Sequence, residues 1–176
     1  PRVVVDILTG FETLDQKIRD EILLKRESIQ LFLSGLDKIA EVKAELTSYV
    51  LFKSSPFMTD EEAFVEADKS IDFLSYQCKE RNIPLHIRLN PMYVAAGTKW
   101  AKLAHRACFK PPRLTDVMRL AEQVAKKGIR VYIGLSTENL DEPNGDYRTR
   151  KDFSRELIKP IKLFNEGKIL TFEGIL

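Results

Sequence analysis

Cysteine is scarce in this sequence: Cys78 and Cys108 are the two thiols in 176 residues. They stand far apart and match neither a metal-ligand spacing nor a disulfide framework. They read as free thiols in a reducing compartment, the cytoplasm. No apolar run approaches the roughly 20 residues that span a bilayer. Asp6 interrupts the first apolar stretch too early for a signal peptide. Neither sign of charge dominates, with 28 Lys+Arg against 26 Asp+Glu and a net charge of +2. That balance gives no ground for nucleic-acid binding from charge alone. The familiar catalytic signatures are missing too: no Walker loop, G-x-G-x-x-G, H-E-x-x-H or G-x-S-x-G occurs. Two distant histidines, His86 and His105, and two distant cysteines make no zinc site. The sequence therefore nominates no catalytic residue and no metal ligand.

What is present is an alternation. Val3 to Leu8 is a β-branched run ended by Thr9-Gly10 and reads as a buried strand. Leu14, Ile18 and Ile22 recur at helical spacing, and Ile29 to Leu46 continues helically. Thr47 to Phe52 is a second strand. Thr59-Asp60-Glu61-Glu62 is a capping box, opening a helix to about Asn82 with Cys78 on its core-facing stripe. Leu85 to Leu89 is a third strand, before Asn90-Pro91. Thr98 to Cys108 is helical. Val117, Leu120, Ala121 and Val124 mark a helix closed by Gly128. Ile129 to Leu135 is a fourth strand, followed by an exposed turn at 141–146 and a last helix from Lys151 to Asn165. Ile169 to Leu176 is a fifth strand or a tail.

Strands alternating with helices predict an α/β fold with a mostly parallel sheet of four or five strands and outer helices. The length fits one domain, 1–176, with 141–176 as a C-terminal extension. Such sheets carry their chemistry at the C-terminal strand ends. Here those ends hold Gly10-Phe11-Glu12-Thr13, Phe52-Lys53-Ser54-Ser55, Asn90-Pro91 and Ser136-Thr137-Glu138. Glu12 stands out among them. It is either a ligand carboxylate, accepting hydrogen bonds from ribose hydroxyls or an amino group, or a carboxylate favoured by a helix N-terminus. The basic stretch Arg148, Arg150, Lys151, Arg155, Lys159 and Lys162 is interleaved with Asp146, Asp152 and Glu156 and reads as a solvated face.

An ordered set of short motifs adds a family resemblance. Gly10-Phe11-Glu12-Thr13, Ile18-Arg19, Lys25, Tyr49 to Lys53 and Pro56 to Ala63 resemble the later half of the radical-SAM family that includes the radical-SAM subunit of archaeosine synthase. Leu89-Asn90-Pro91, Gly97-Thr98 and Phe109-Lys110-Pro111-Pro112 follow in the same order. The resemblance covers about residues 1 to 136 and extends more distantly to elongator-type tRNA-modifying enzymes. It implies half of a partial (β/α) TIM-like barrel. It also implies an oxidoreductase that uses S-adenosylmethionine and a 4Fe–4S cluster to generate a 5′-deoxyadenosyl radical for tRNA modification. By the same resemblance Glu12, Thr13, Lys53 and Asn90 are candidate cofactor-binding residues.

The family's C-x-x-x-C-x-x-C motif, which supplies the cluster's thiolates, is absent. Ser54-Ser55 stand where the family tends to have proline, and Arg113-Leu114-Thr115 replace an aromatic run. With its start at Pro1 on a strand-like run, the chain reads as the C-terminal half of a radical-SAM protein. Such a half binds neither cluster nor S-adenosylmethionine by itself and is inactive alone. Its partners are then the N-terminal half of the same protein and a tRNA, or a second copy joined through the exposed strand edge, with no membrane. The alternatives are a cluster-free nucleotide-binding or interaction module and an unrelated α/β domain.

Overall fold

A computed structural model describes residues 4–176. The order of elements is β1 (Asp6–Glu12), a π-helical turn (Ile18–Ile22), α1 (Ile29–Glu41), β2 (Glu45–Phe52), α2 (Asp60–Glu80), β3 (Leu85–Pro91), α3 (Lys99–Arg106), α4 (Leu114–Lys126), β4 (Arg130–Ile133) and α5 (Ile158–Asn165). Short 3-10 turns precede α5 at Tyr147–Thr149 and Arg155–Leu157. The four strands form one all-parallel sheet in the order β1-β2-β3-β4. Each crossover moves one strand along. Right-handed crossovers that never reverse put their helices on one face, which is how a (β/α) barrel begins. The α/β expectation of a parallel sheet with outer helices holds.

The buried face follows strict alternation. In β2, Leu46, Ser48, Val50 and Phe52 are buried, whereas Glu45, Thr47, Tyr49 and Leu51 are half-exposed. In β3, Ile87, Leu89 and Pro91 are buried; His86, Arg88 and Asn90 are half-exposed. The buried set packs with Phe32 and Leu36 of α1, Ala67, Ile71 and Leu74 of α2, and Val117, Leu120 and Val124 of α4. Cys78 lies in this core, as its helical position predicts. Tyr147, Leu157, Ile161, Phe164 and Phe172 join the same core, so the segment from 141 onward packs onto the sheet.

Local chemistry sets the helix starts. Thr59 Oγ1 accepts from the Glu62 amide at 3.1 Å, and Glu62 Oε2 accepts from the Thr59 amide at 2.8 Å, completing the capping box. Thr98 caps α3 through the Ala101 amide at 3.0 Å. Gly128, at φ +82°, ends α4 in the left-handed region.

Several sequence expectations are corrected. β1 does not stop at Thr9-Gly10: its pairing with β2 continues through Gly10, with an irregularity before Glu12. Val3 lies outside the described residues. The strand is not buried along its first half. Val5 is 52% and Leu8 58% exposed, because among the described residues β1 pairs with β2 alone and no helix covers that end. The helix from Ile29 ends at Glu41 rather than near Leu46. Lys43, at φ +54°, turns the chain and Glu45 already pairs with β1.

Residues 169–176 form no strand. Phe172 instead buries its ring in the core, and its amide donates to Glu122 Oε2. The last helix starts at Ile158, not Lys151. The turn at 141–146 is not wholly exposed: Gly145 and Asp146 are buried, and Val94 donates to the Gly145 carbonyl at 2.8 Å.

The two sheet edges differ. Across β4, the Asn165 side-chain amide accepts from the Ile133 N–H at 2.8 Å and donates to its carbonyl at 2.9 Å. One side chain thus occupies the edge at Ile133 as a neighbouring strand would. Along β1, Lys25 and Arg19 reach the carbonyls of Gly10 and Phe11, and among the described residues no comparable cover lies along Asp6 to Thr9.

Candidate functional site at the strand ends

α3 packs a second, smaller cluster at the C-terminal end of the sheet. Val94, Trp100, Ala101 and Ala104 meet Ile22, Leu23, Met92 and Phe109 there. Between this cluster and the strand ends lies a mostly apolar cleft of about 570 Å³, lined by Glu12, Lys25, Leu51, Met92, Tyr93, Thr98 and Trp100 among others. A second cleft of about 370 Å³ continues along the open face, shares Leu51, Met92 and Tyr93, and adds Tyr49, Arg88, Asn90, Gly134 and Ser136.

Glu12 is the polar centre of the first cleft. It sits at φ +72°, just past the irregularity in β1. Lys25 Nζ lies 3.4 Å from Glu12 Oε1 and also donates to the Gly10 carbonyl. A Cβ on Gly10 would fall 2.4 Å from Glu12 Oε1 and 3.0 Å from Lys25 Nζ. A side chain there would displace the ends of both groups from this arrangement. Burial pushes the Glu12 carboxyl above its ordinary range, while Lys25 and Arg19 pull it back.

Asn90 sits on the second cleft and leans over another glycine. A Cβ on Gly134 would come 2.0 Å from Asn90 Oδ1. Glu12 and Asn90 thus lie on one face, at strand ends joined through Leu51 of the strand between them.

Thr13 and Lys53 line neither cleft. Thr13 is fully buried and its hydroxyl donates to Glu66 Oε1. Lys53, at φ +72°, turns its ammonium to Asp60 Oδ1 at 2.8 Å and the Lys110 carbonyl at 2.9 Å, 5.3 Å from the Phe109 ring centre. Arg113 and Arg150 reach the other oxygen of Asp60 at 3.3 and 3.5 Å. Two arginines of the C-terminal basic stretch are similarly occupied, Arg148 with Asp146 and Arg150 with Asp152.

Glu66 draws hydroxyl donors from three elements: Thr13, Ser70 at 2.7 Å and Ser54 at 3.4 Å. Burial raises its carboxyl above the ordinary value, and the hydroxyls oppose this. In the unfolded chain the same group titrates at its ordinary position. Between the two, the folded state binds the extra proton, so stability falls as pH rises through that window. Glu12 acts in the same direction. Relative to Glu66→Gln, the urea midpoint of the unaltered protein is expected to fall as pH rises through that window. A Glu66→Gln profile parallel to that of the unaltered protein would contradict this reading.

Among the described residues, no three His, Cys, Asp or Glu groups converge to hold a metal ion. The Cys78 thiol is pushed up to about 11 by burial, which makes it a poor ligand at neutral pH. Cys108 is exposed on a separate element. No described helix is long and apolar enough to cross a membrane.

The cleft residues that sequence reading did not nominate are Trp100, Tyr93, Met92, Arg88 and Tyr49. Their signal was the period-two pattern of β2 and β3, which marks Tyr49 and Arg88 as facing away from the core. No family model matches the sequence, and none of the curated proteins does.

Proposed function

We propose that this chain supplies one half of a radical-SAM barrel and that its strand-end cleft receives the nucleoside part of S-adenosylmethionine, for modification of a tRNA. The carrying observation is the Glu12–Lys25 pair, held over Gly10 in a mostly apolar cleft at the C-terminal ends of consecutive parallel strands. Lys25 fixes the carboxylate, which can then accept from the two hydroxyls of a ribose. Leu51, Met92 and Trp100 offer apolar cover that excludes water from the bound group. Bound there, S-adenosylmethionine supplies the reactive carbon of the reaction.

A 4Fe–4S cluster does not fit the residues of this chain. Its three thiolates would have to come from two cysteines, of which one is in the core. No step is therefore assigned to a cluster here; its ligands belong to sequence outside these residues. In this reading the uncovered β1 edge pairs with the first half of the barrel. Expressed without it, the chain pairs that edge with a second copy.

The test joins the chain to the coding sequence upstream of Pro1 and measures S-adenosylmethionine binding by calorimetry after anaerobic iron reconstitution. A C-x-x-x-C-x-x-C motif upstream is expected, with affinity lowered about tenfold in Glu12→Ala through loss of a charge-assisted hydrogen bond. A start codon near Pro1, or equal affinity in Glu12→Ala, would overturn the proposal. Adenosine binding by this chain without iron would instead favour a cluster-free nucleotide-binding module.

A further inference from the structure

Arg88 occupies an unusual position on the open face. Register places Tyr49, Arg88 and Tyr132 side by side on three adjacent strands. The guanidinium lies 5.3 Å from the Tyr49 ring centre and 4.8 Å from that of Tyr132. The two rings flank the guanidinium and restrict its position.

Among the described residues its N–H groups have no partner. The other buried and half-buried arginines among the described residues, Arg19, Arg81, Arg113 and Arg150, each pair with a carboxylate. Arg88 has no ion pair and no hydrogen bond among the described residues. The acidic residues near it are engaged without reaching it: Glu12 lies beside Lys25, Glu45 bonds His86 Nε2 at 3.1 Å, and Asp6 accepts from the Thr47 hydroxyl. Glu138 lines the same cleft without reaching Arg88. A half-exposed guanidinium with no counter-charge is solvated in the free protein and open to an anionic ligand.

Around Arg88 the cleft is polar and open. Asn90 and Ser136 line it with the two tyrosine-flanked edges, and Gly134 leaves space where a Cβ would stand 3.8 Å from Arg88 Nε. A planar fork of donors with an amide and a hydroxyl beside it matches a group bearing two or three equivalent oxygens.

The geometry points to an oxyanion site here, in which Arg88, assisted by Asn90 and Ser136, binds the phosphate or carboxylate group of a small ligand. The tyrosines position the guanidinium, and the ligand brings the missing negative charge. The site needs no nucleoside in the neighbouring cleft and stands whether or not S-adenosylmethionine binds there.

The experiment follows arginine Nε–Hε resonances by nitrogen-15 NMR while inorganic phosphate, and separately acetate, replaces chloride at constant ionic strength. A saturable shift of the Arg88 Nε–Hε signal is expected. The midpoint, read at the backbone amide of Gly134, is expected to rise about tenfold in Arg88→Lys, which keeps the charge and loses the fork. Ser136→Ala is expected to raise it about threefold. Saturation by phosphate alone assigns a phosphate ligand, and saturation by acetate alone assigns a carboxylate. No saturation by either, or an unchanged midpoint in Arg88→Lys, overturns the site. Should Arg88→Lys fail to fold by circular dichroism, the titration of the unaltered protein and Ser136→Ala decide.

Discussion

Asp60→Ala is expected to lower the free energy of unfolding by about 3–5 kcal/mol, the cost of stranding a buried charge. Asp60 and Lys53 are nearly enclosed, with side chains 10% and 6% exposed. Removing the carboxylate leaves the Lys53 ammonium with the Lys110 carbonyl and the Phe109 ring. The arginines fare better. Arg113 keeps Asp116 at 2.7 Å and Glu61 at 2.9 Å, and Arg150 keeps Asp152 at 2.7 Å. The loss is therefore assigned to Lys53. Adding Lys53→Met to Asp60→Ala is expected to restore most of it, because the second change removes the stranded charge. Urea midpoints for the two single variants and the double variant measure the coupling. Simple additivity would show that the pair is not what Asp60→Ala disrupts.

Arg19→Met is expected to cost about 3–5 kcal/mol and to loosen the wall of the first cleft. Arg19 is fully buried on the π-helical turn. Its guanidinium donates to the carbonyls of Phe11, Thr13 and Glu27 and pairs with Glu27 Oε2 at 3.0 Å, with the Phe11 ring centre 5.1 Å away. Methionine has the length to fill the space but satisfies none of those acceptors. The segment it ties down carries Ile22, Leu23 and Lys25 into the cleft. Amide exchange across residues 18–25 is expected to accelerate in the variant beyond the change in global stability. Exchange that rises uniformly over the chain would show that Arg19 acts on the fold as a whole and not on this wall.

Both residues were visible in the sequence, and neither role was. Arg19 appeared as part of a short motif; nothing in its neighbours announced a buried guanidinium. Lys53 follows a strand, where alternation from Leu51 would put it on the open side, and it read as a cofactor-facing group by the family resemblance. The left-handed backbone at Lys53 breaks that alternation and sends the ammonium toward Asp60 instead. Thr13 illustrates the same limit. It lies one residue beyond Glu12, faces the core side, and spends its hydroxyl on Glu66 of a distant helix.

The alternation of strand and helix, the capping box at Thr59, the stop at Gly128 and the core position of Cys78 follow from sequence alone. Each rests on local periodicity or on a backbone preference of a few adjacent residues. The α/β class follows from the same local signals. Which strand-end side chains share a cleft was decided only by tertiary structure. Glu12 meets Lys25 because Gly10 leaves room beneath them, and Asn90 fits because Gly134 does the same. The stacking of Arg88 between Tyr49 and Tyr132 depends on inter-strand register across long crossovers, which no local pattern specifies. Likewise, only the packing of α5 brings Asn165 to the β4 edge, while the first half of β1 has no such cover among the described residues, since an edge is defined by what lies beside a strand and not by its residues.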